Sequence, residues 1–155
     1  MSEYTAKIAW KRQPEEAFTD NKYSRGHSWA FDGGAVVAAS SAPSIVPLPY
    51  SVETNVDPEE AFIASLSSCH MLFFLAIAGK RGFVIDEYID NSIGIMEKDG
   101  DGKISITKVT LRPQVTFGGE KQPTLEKVEQ MHHQSHEQCF IANSVKTEVV
   151  IEVIL

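Results

Sequence analysis

The spacing of apolar residues changes several times along this chain. Apolar residues at every second position are typical of strands, whereas helices carry them three or four residues apart. Two segments are predicted helices, one over residues 57–79 and one beginning near Pro123 and running towards Cys139. The predicted strands are residues 4–11, a hairpin over 28–39, and residues 83–96, 103–117 and 146–155. The order β-β-β-α-β-β-α-β predicts a single α+β domain over residues 1–155.

The first predicted helix has the clearest boundaries. Asp57 suits a capping position, Pro58 suits the first helical position, and Glu59 and Glu60 suit the first turn, where acidic side chains are favoured. Residues 61–78 are apolar on nearly every side and long enough for a membrane span to be considered. Three serines and a histidine interrupt this stretch, and strand-like segments lie on both sides of it. We therefore expect a buried central helix.

Composition and net charge limit the classes of protein to which this chain could belong. The chain has 155 residues, of which 43% are hydrophobic and 23% charged, as in ordinary globular domains. A net charge of −7 argues against nucleic acid and anionic membrane as partners. The first residues include no apolar segment typical of a secretory signal. We expect a cytoplasmic protein.

A long segment rich in proline, residues 40–55, precedes the first helix. It contains Pro43, Pro47 and Pro49 and shows neither the strand nor the helix pattern. Irregular segments of this length are uncommon in compact domains unless they are functional or mobile. We expect this segment to line or cover a site.

Candidate chemistry centres on the only two cysteines, Cys69 in the first helix and Cys139 after a histidine-rich segment. Four interpretations are open: a disulfide staple, a metal site, a peroxide-reducing thiol pair, and two unconnected core thiols. In the cytoplasm a thiol pair is more often catalytic or redox-active than structural.

A metal site would use His132, His136 and Cys139, whose spacing places them on one helical face. Cys69 would complete four ligands. The favoured alternative is a solvated polar face with His132 and His133 exposed, since neither CxxC nor HExxH is present.

A thiolate at Cys69 would require a nearby cation, because the middle of a helix gives it little support from the helix dipole. Arg25 lies in a loop-like stretch before a strand, from which its side chain can reach inward. A carboxylate would be needed to orient the guanidinium, and Glu59 or Glu60 could serve.

Two motifs resemble a known family. Asp57-Pro58-Glu59-Glu60, continued through Ala-Phe-Ile-Ala-Ser-Leu-Ser-Ser to Cys69, resembles the PE…C signature of the OsmC/Ohr family, the osmotically inducible and organic hydroperoxide resistance proteins. The segment from His136 to Val145, which contains Cys139, is similar to the second, H-x-x-C motif of that family. The order of elements agrees, and the resemblance covers nearly the whole chain.

The resemblance implies both a fold and an activity. The fold is an intertwined α+β homodimer in which two central helices are wrapped by sheets of both subunits. The activity is reduction of organic hydroperoxides without a bound cofactor. Cys69 corresponds to the peroxidatic cysteine and Cys139 to the resolving one, while Arg25, held by Glu59, supports the thiolate. An external dithiol of the lipoyl type would reduce the resulting disulfide.

Two features depart from the family pattern. Phe140 stands where the family has a proline after its second cysteine, and the segment 41–56 is longer and more apolar. The alternative function is therefore a dimer of the same fold that binds a small ligand or a metal without efficient peroxidase turnover.

Overall fold

A computed structural model describes residues 1–155, and the chain divides into two compact units, Met1–Ala61 and Phe62–Leu155. The single domain over residues 1–155 stays a prediction from the sequence. The first unit contains an antiparallel sheet of β1 (Lys7–Ala9), β2 (His27–Ala30) and β3 (Val36–Ala39), in that order. Gly34 adopts a φ of 97° in the turn between β2 and β3, which a residue with a side chain rarely adopts. The predicted hairpin is therefore confirmed.

The proline-rich segment after β3 contains no helix and no strand, as predicted. Its two ends are tied together by backbone hydrogen bonds: Ser40 N donates to Val56 O, and Val56 N donates to Ala38 O. The loop therefore returns beside β3 before the first helix begins.

The first helix, α1, spans Pro58–Lys80. Its start is a reciprocal cap, since Glu60 N donates to Asp57 Oδ1 at 2.8 Å and Asp57 N donates to Glu60 Oε1 at 2.9 Å. Such a capping box satisfies donors that the first helical turn leaves free. The predicted start at Asp57 is confirmed, and the helix continues without a break to Lys80.

Only one face of α1 is fully buried within the chain. Leu66, His70, Phe74, Ile77 and Ala78 lie on that face, whereas Leu72 on the other side is 60% exposed. Length and composition alone would allow α1 to cross a membrane. Its buried face, however, packs in the hydrophobic core of the second unit, as a core helix does.

The second unit contains five strands. They are β4 (Val84–Asp90), β5 (Ile93–Lys98), β6 (Ile104–Leu111), β7 (Pro113–Gly118) and β8 (Glu148–Ile151). β4 pairs with β7, and a second sheet has the order β5-β6-β8, in which β8 runs parallel to β6.

Each of the two long strands predicted at 83–96 and 103–117 is in fact two strands, so four strands stand between the helices instead of two. The break between β6 and β7 falls at Pro113, which has no N–H to donate and begins β7. The backbone N–H of the preceding residue, Arg112, donates to the Asp90 side chain, with Oδ1 at 2.6 Å, and so has a hydrogen-bond partner outside the strand pairing. The long hairpin therefore turns a corner at this point.

The second helix, α2, spans Leu125–Gln138 and begins at Thr124, whose hydroxyl accepts a hydrogen bond from Lys127 N. Helix α2 adds Met131 to a core cluster with Phe74 and Phe83. A second cluster joins Leu66 to strand β6. The fold is α+β, as predicted, and its core helix carries the predicted cysteine motif.

Candidate active site

The two cysteines meet where α1 passes the end of α2. Cys69 lies in the middle of α1, between its buried and exposed faces, and Cys139 directly follows Gln138, the last residue of α2. Both are free thiols, and they lie close enough for Cys69 to perturb the pKa of Cys139. The structure therefore brings together the two residues that the motifs single out.

The Cys139 thiol is 1% exposed, and burial raises its pKa to about 11. Interaction with Cys69 raises this pKa further, whereas a donation from Ala142 N to Sγ, at 3.4 Å, opposes both effects. Cys139 is consequently a protonated thiol at neutral pH. Because the thiolate is the attacking form of cysteine, Cys139 is poorly suited to react first with a substrate.

An apolar groove opens at Cys69, with a volume of about 450 Å³. None of its lining residues is charged; they are Ser65, Ser68, Cys69, Leu72, Phe73, Ala76 and Phe140. Ligand pockets commonly have volumes of about 300–1,000 Å³ and mostly apolar walls. The groove can therefore admit the hydrocarbon part of a small molecule next to the thiol.

Arg25 and Glu59 line one cavity of about 490 Å³ in the first unit, together with Trp10, Phe18 and Tyr23. They form no ion pair, since the only ion pairs join Arg112 to Glu152 and Lys146 to Asp99. The predicted supporting residues thus share a cavity without direct contact.

The Arg25 guanidinium is held by its own loop. It lies 3.6 Å from the centre of the Tyr23 ring and donates to Asn21 O, Asn21 Oδ1 and Tyr23 O. Glu59 Oε2 is buried without a hydrogen-bond partner. A buried carboxylate oxygen left in this way is costly, so the cavity offers an open position for a donor.

A buried histidine pair joins the buried face of α1 to α2. The sequence analysis did not predict this pair. His70 Nε2 and His132 Nδ1 are 2.9 Å apart, and the His132 ring stacks on Phe74 at 4.1 Å. His132 is 2% exposed, so the expectation of an exposed His132 is wrong, whereas His133 is exposed as expected. The only hint in the sequence is that His70 adjoins Cys69.

Burial lowers the pKa of both histidines, to about 4 for His70 and about 3 for His132. Coulombic interactions with other histidines add to this effect, while Asp90 opposes it. The pair is therefore neutral at physiological pH, with one ring donating and the other accepting.

The residues considered for a metal do not assemble into a metal centre. No group of three or more histidine, cysteine, aspartate or glutamate side chains is arranged to hold an ion. His132 turns its Nδ1 towards His70, and Cys139 turns towards Cys69. The geometry thus groups the cysteines with each other and the histidines with each other.

Comparison with known proteins identifies the family of this chain. The model of the OsmC-like protein family matches residues 52–154, well over half of the chain. A solved structure of an OsmC-like protein of unknown function from Vibrio cholerae is 60% identical, with a TM-score of 0.98. That match covers 99% of this chain and 100% of the other. A comparison with curated protein sequences gave no match.

More distant structures share the fold. The organic hydroperoxide resistance protein OhrB of Bacillus subtilis is 20% identical, with a TM-score of 0.65 over 97% of this chain and 98% of that one. An organic hydroperoxide resistance protein OsmC from Legionella pneumophila is 14% identical, with a TM-score of 0.71 over the full length of both chains. From the family match and the shared fold, the chain belongs to the OsmC-like protein family.

Proposed function

We propose that this protein is a thiol-dependent peroxidase that reduces organic hydroperoxides. The observation that carries the proposal is the pair of neighbouring free thiols, Cys69 and Cys139, of which Cys69 lines an apolar groove. Two structurally similar proteins are named organic hydroperoxide resistance proteins, which supports the same substrate class.

The reaction begins at Cys69. Its thiolate attacks the terminal, hydrogen-bearing oxygen of the hydroperoxide, the O–O bond breaks, and the alkoxide leaves and takes a proton to become the alcohol. Cys69 is then a sulfenic acid. Cys139 attacks the sulfenic sulfur, a disulfide forms and water leaves, so the peroxide has taken two electrons from the two thiols. An external dithiol, for which a lipoyl compound is the expected type, reduces the disulfide by exchange.

The direct assay follows cumene hydroperoxide in the presence of dihydrolipoamide. The wild-type protein is expected to consume the hydroperoxide catalytically, with one alcohol formed for each dithiol oxidised. Consumption no faster than dihydrolipoamide alone would reject the proposed activity. The second candidate function, a protein of the same fold that binds a small ligand without turnover, would then be preferred. The stacking of the Arg25 guanidinium on Tyr23 favours that candidate, because it holds Arg25 in its own loop.

Arg25 is expected to assist the oxidation of Cys69. Replacing Arg25 by alanine should slow the reaction of Cys69 with cumene hydroperoxide by about a hundredfold, a typical cost of removing a donor that stabilises charge in the transition state. Arg25→Lys should recover only part of the rate, because lysine lacks the planar fork of arginine. Stopped-flow oxidation at several peroxide concentrations gives the rate constant.

Arg81 provides the matched control for this arginine. Its guanidinium donates to Gln134, and it lies at the end of α1 away from both cavities. Arg81→Ala should oxidise at the wild-type rate. An unchanged rate for Arg25→Ala would assign the supporting role to another cation, or to none.

The helix geometry points to a site shared between two copies of the chain. Glu59 and Cys69 are ten residues apart on the unbroken helix α1. This spacing corresponds to about 15 Å of rise, with the side chains about 80° apart. Glu59 therefore cannot approach the thiol of its own helix. We propose that Glu59 serves Cys69 of a second copy.

The amount of exposed apolar surface also supports a homodimer. Large hydrophobic side chains more than half exposed occur in both units; among them are Val36, Leu72, Ile93 and Ile104. Many large apolar side chains exposed on a chain are typical of a protein that covers them with a partner. At micromolar concentration, sedimentation velocity is expected to show a dimer, and a stable active monomer would contradict this proposal.

Mixing two inactive variants tests the sharing of the site. In a heterodimer of Cys69→Ser and Glu59→Gln subunits, one site would combine an intact Cys69 with an intact Glu59 from the other subunit. Refolding the two variants together in equal amounts should restore roughly a quarter of wild-type activity, by statistical assortment. If each site uses Glu59 of its own chain, the mixture should show no more activity than the two variants kept apart.

A further inference from the structure

Phe140 is an aromatic side chain that lines the Cys69 groove. It follows Cys139 directly, is 71% exposed, and meets Phe73 edge to face with ring centres 5.0 Å apart and planes at 82°. Since Phe140 is solvent-exposed, core packing does not explain a large apolar residue at this position.

The backbone around Phe140 fixes its position. Phe140 O accepts a hydrogen bond from Ser144 Oγ at 2.7 Å, and Asn143 N donates to Cys139 O at 3.0 Å. The turn after α2 is therefore closed by its own hydrogen bonds. The ring is presented at the groove by an ordered segment that also carries the second thiol.

The chemistry of the groove restricts what it can select. Its apolar lining consists of the rings of Phe73 and Phe140 and the side chains of Leu72 and Ala76. Its polar lining consists of two serines and the Cys69 thiol. Within one chain, none of the residues that line the groove is charged. Aromatic rings favour an aromatic partner in edge-to-face or offset contact, which adds to the benefit of burying apolar area.

We propose that Phe140 is a specificity-determining residue, which together with Phe73 selects hydroperoxides that carry an aryl group. This inference rests on the proposed peroxidase function. It assigns to Phe140 a contact with the substrate's hydrocarbon part and no role in the reaction at the peroxide bond.

The kinetic test compares two uncharged hydroperoxides, cumene hydroperoxide, which has a phenyl ring, and tert-butyl hydroperoxide, which has none. Phe140→Ala should reduce kcat/KM for cumene hydroperoxide about tenfold relative to tert-butyl hydroperoxide, chiefly through KM. Phe140→Tyr, which retains the ring, should keep the wild-type ratio. Phe31→Ala removes another exposed phenylalanine, in the first unit, and serves as the matched control. An unchanged ratio in Phe140→Ala would overturn the inference.

A second measurement is independent of peroxidase turnover. In a Cys139→Ser background, Cys69 is the only thiol, and its labelling rates with N-phenylmaleimide and N-ethylmaleimide can be compared. Loss of the Phe140 ring should lower the phenyl-to-ethyl rate ratio severalfold, whereas Phe31→Ala should not change it. If wild-type protein consumes no hydroperoxide, the proposed function fails and this ratio alone decides whether Phe140 recognises aryl groups. An equal ratio with and without Phe140 would reject that recognition.

Discussion

Replacing Cys69 by serine is expected to abolish hydroperoxide turnover, because a serine hydroxyl is not oxidised by a peroxide and leaves no sulfenic intermediate. Replacing Cys139 by serine should have a different effect. Without added dithiol, one equivalent of peroxide should be consumed for each chain and Cys69 should remain a sulfenic acid, since the protein has no second thiol to form the disulfide. Excess peroxide should then convert Cys69 to the sulfinic acid, which dithiols do not reduce.

The two variants are compared by following the loss of cumene hydroperoxide and the mass of the intact protein. The variant that lacks both cysteines provides the background. A Cys69→Ser protein that retains turnover would contradict the assignment of the first step. The same assignment would fail if trapping with a sulfenic-acid reagent labelled Cys139 in the wild-type protein.

Acid is expected to destabilise the fold from about pH 6.5 downwards, because of the buried pair His70 and His132. Their pKa values are lowered to about 4 and about 3 in the folded chain, from an ordinary value near 6.5. The unfolded chain therefore binds more protons than the folded chain as pH falls below that value. The stability that the neutral pair contributes is complete above pH 6.5 and declines as pH falls towards 3–4.

The expected size of this loss is a few kcal/mol by pH 5, since each pKa unit corresponds to about 1.4 kcal/mol. Urea unfolding at several pH values between 7 and 5 measures it, in a range where most carboxylates remain ionised in both states. His132→Phe should remove the contribution of His132, about half of the pH dependence, while keeping a ring stacked on Phe74. The exposed His133→Phe is the control and should leave it unchanged. A free energy of unfolding that is constant from pH 7 to pH 5 would contradict the neutral buried pair.

Much of the fold could be predicted because its determinants are local. The capping box of Asp57 and Glu60, the proline at the first position of α1 and the turn at Gly34 depend on residues close together in sequence. The corner at Arg112 and Pro113 was missed. It depends on Asp90, which is distant in sequence and accepts the Arg112 N–H.

The site could be predicted in part, for a similar reason. The motifs singled out Cys69 and Cys139, and the structure places their thiols close together. The pairing of His70 with His132 could not be predicted, because it depends on how α1 packs against α2 over 62 positions of sequence. The conformation of Arg25, by contrast, has local partners, since Tyr23 and Asn21 bind the guanidinium, but no helix or strand pattern in the sequence indicates it.

The central claim is that hydroperoxide oxidises Cys69 and that Cys139 then closes a disulfide with it. The most direct measurement treats the reduced protein with one equivalent of cumene hydroperoxide, blocks the remaining thiols and identifies the linked peptides by mass spectrometry. We predict loss of both free thiols and a single peptide pair that joins Cys69 to Cys139 within one chain. Two alkylated thiols after the peroxide has been consumed, or a stable oxide on one cysteine beside a free thiol on the other, would contradict the claim.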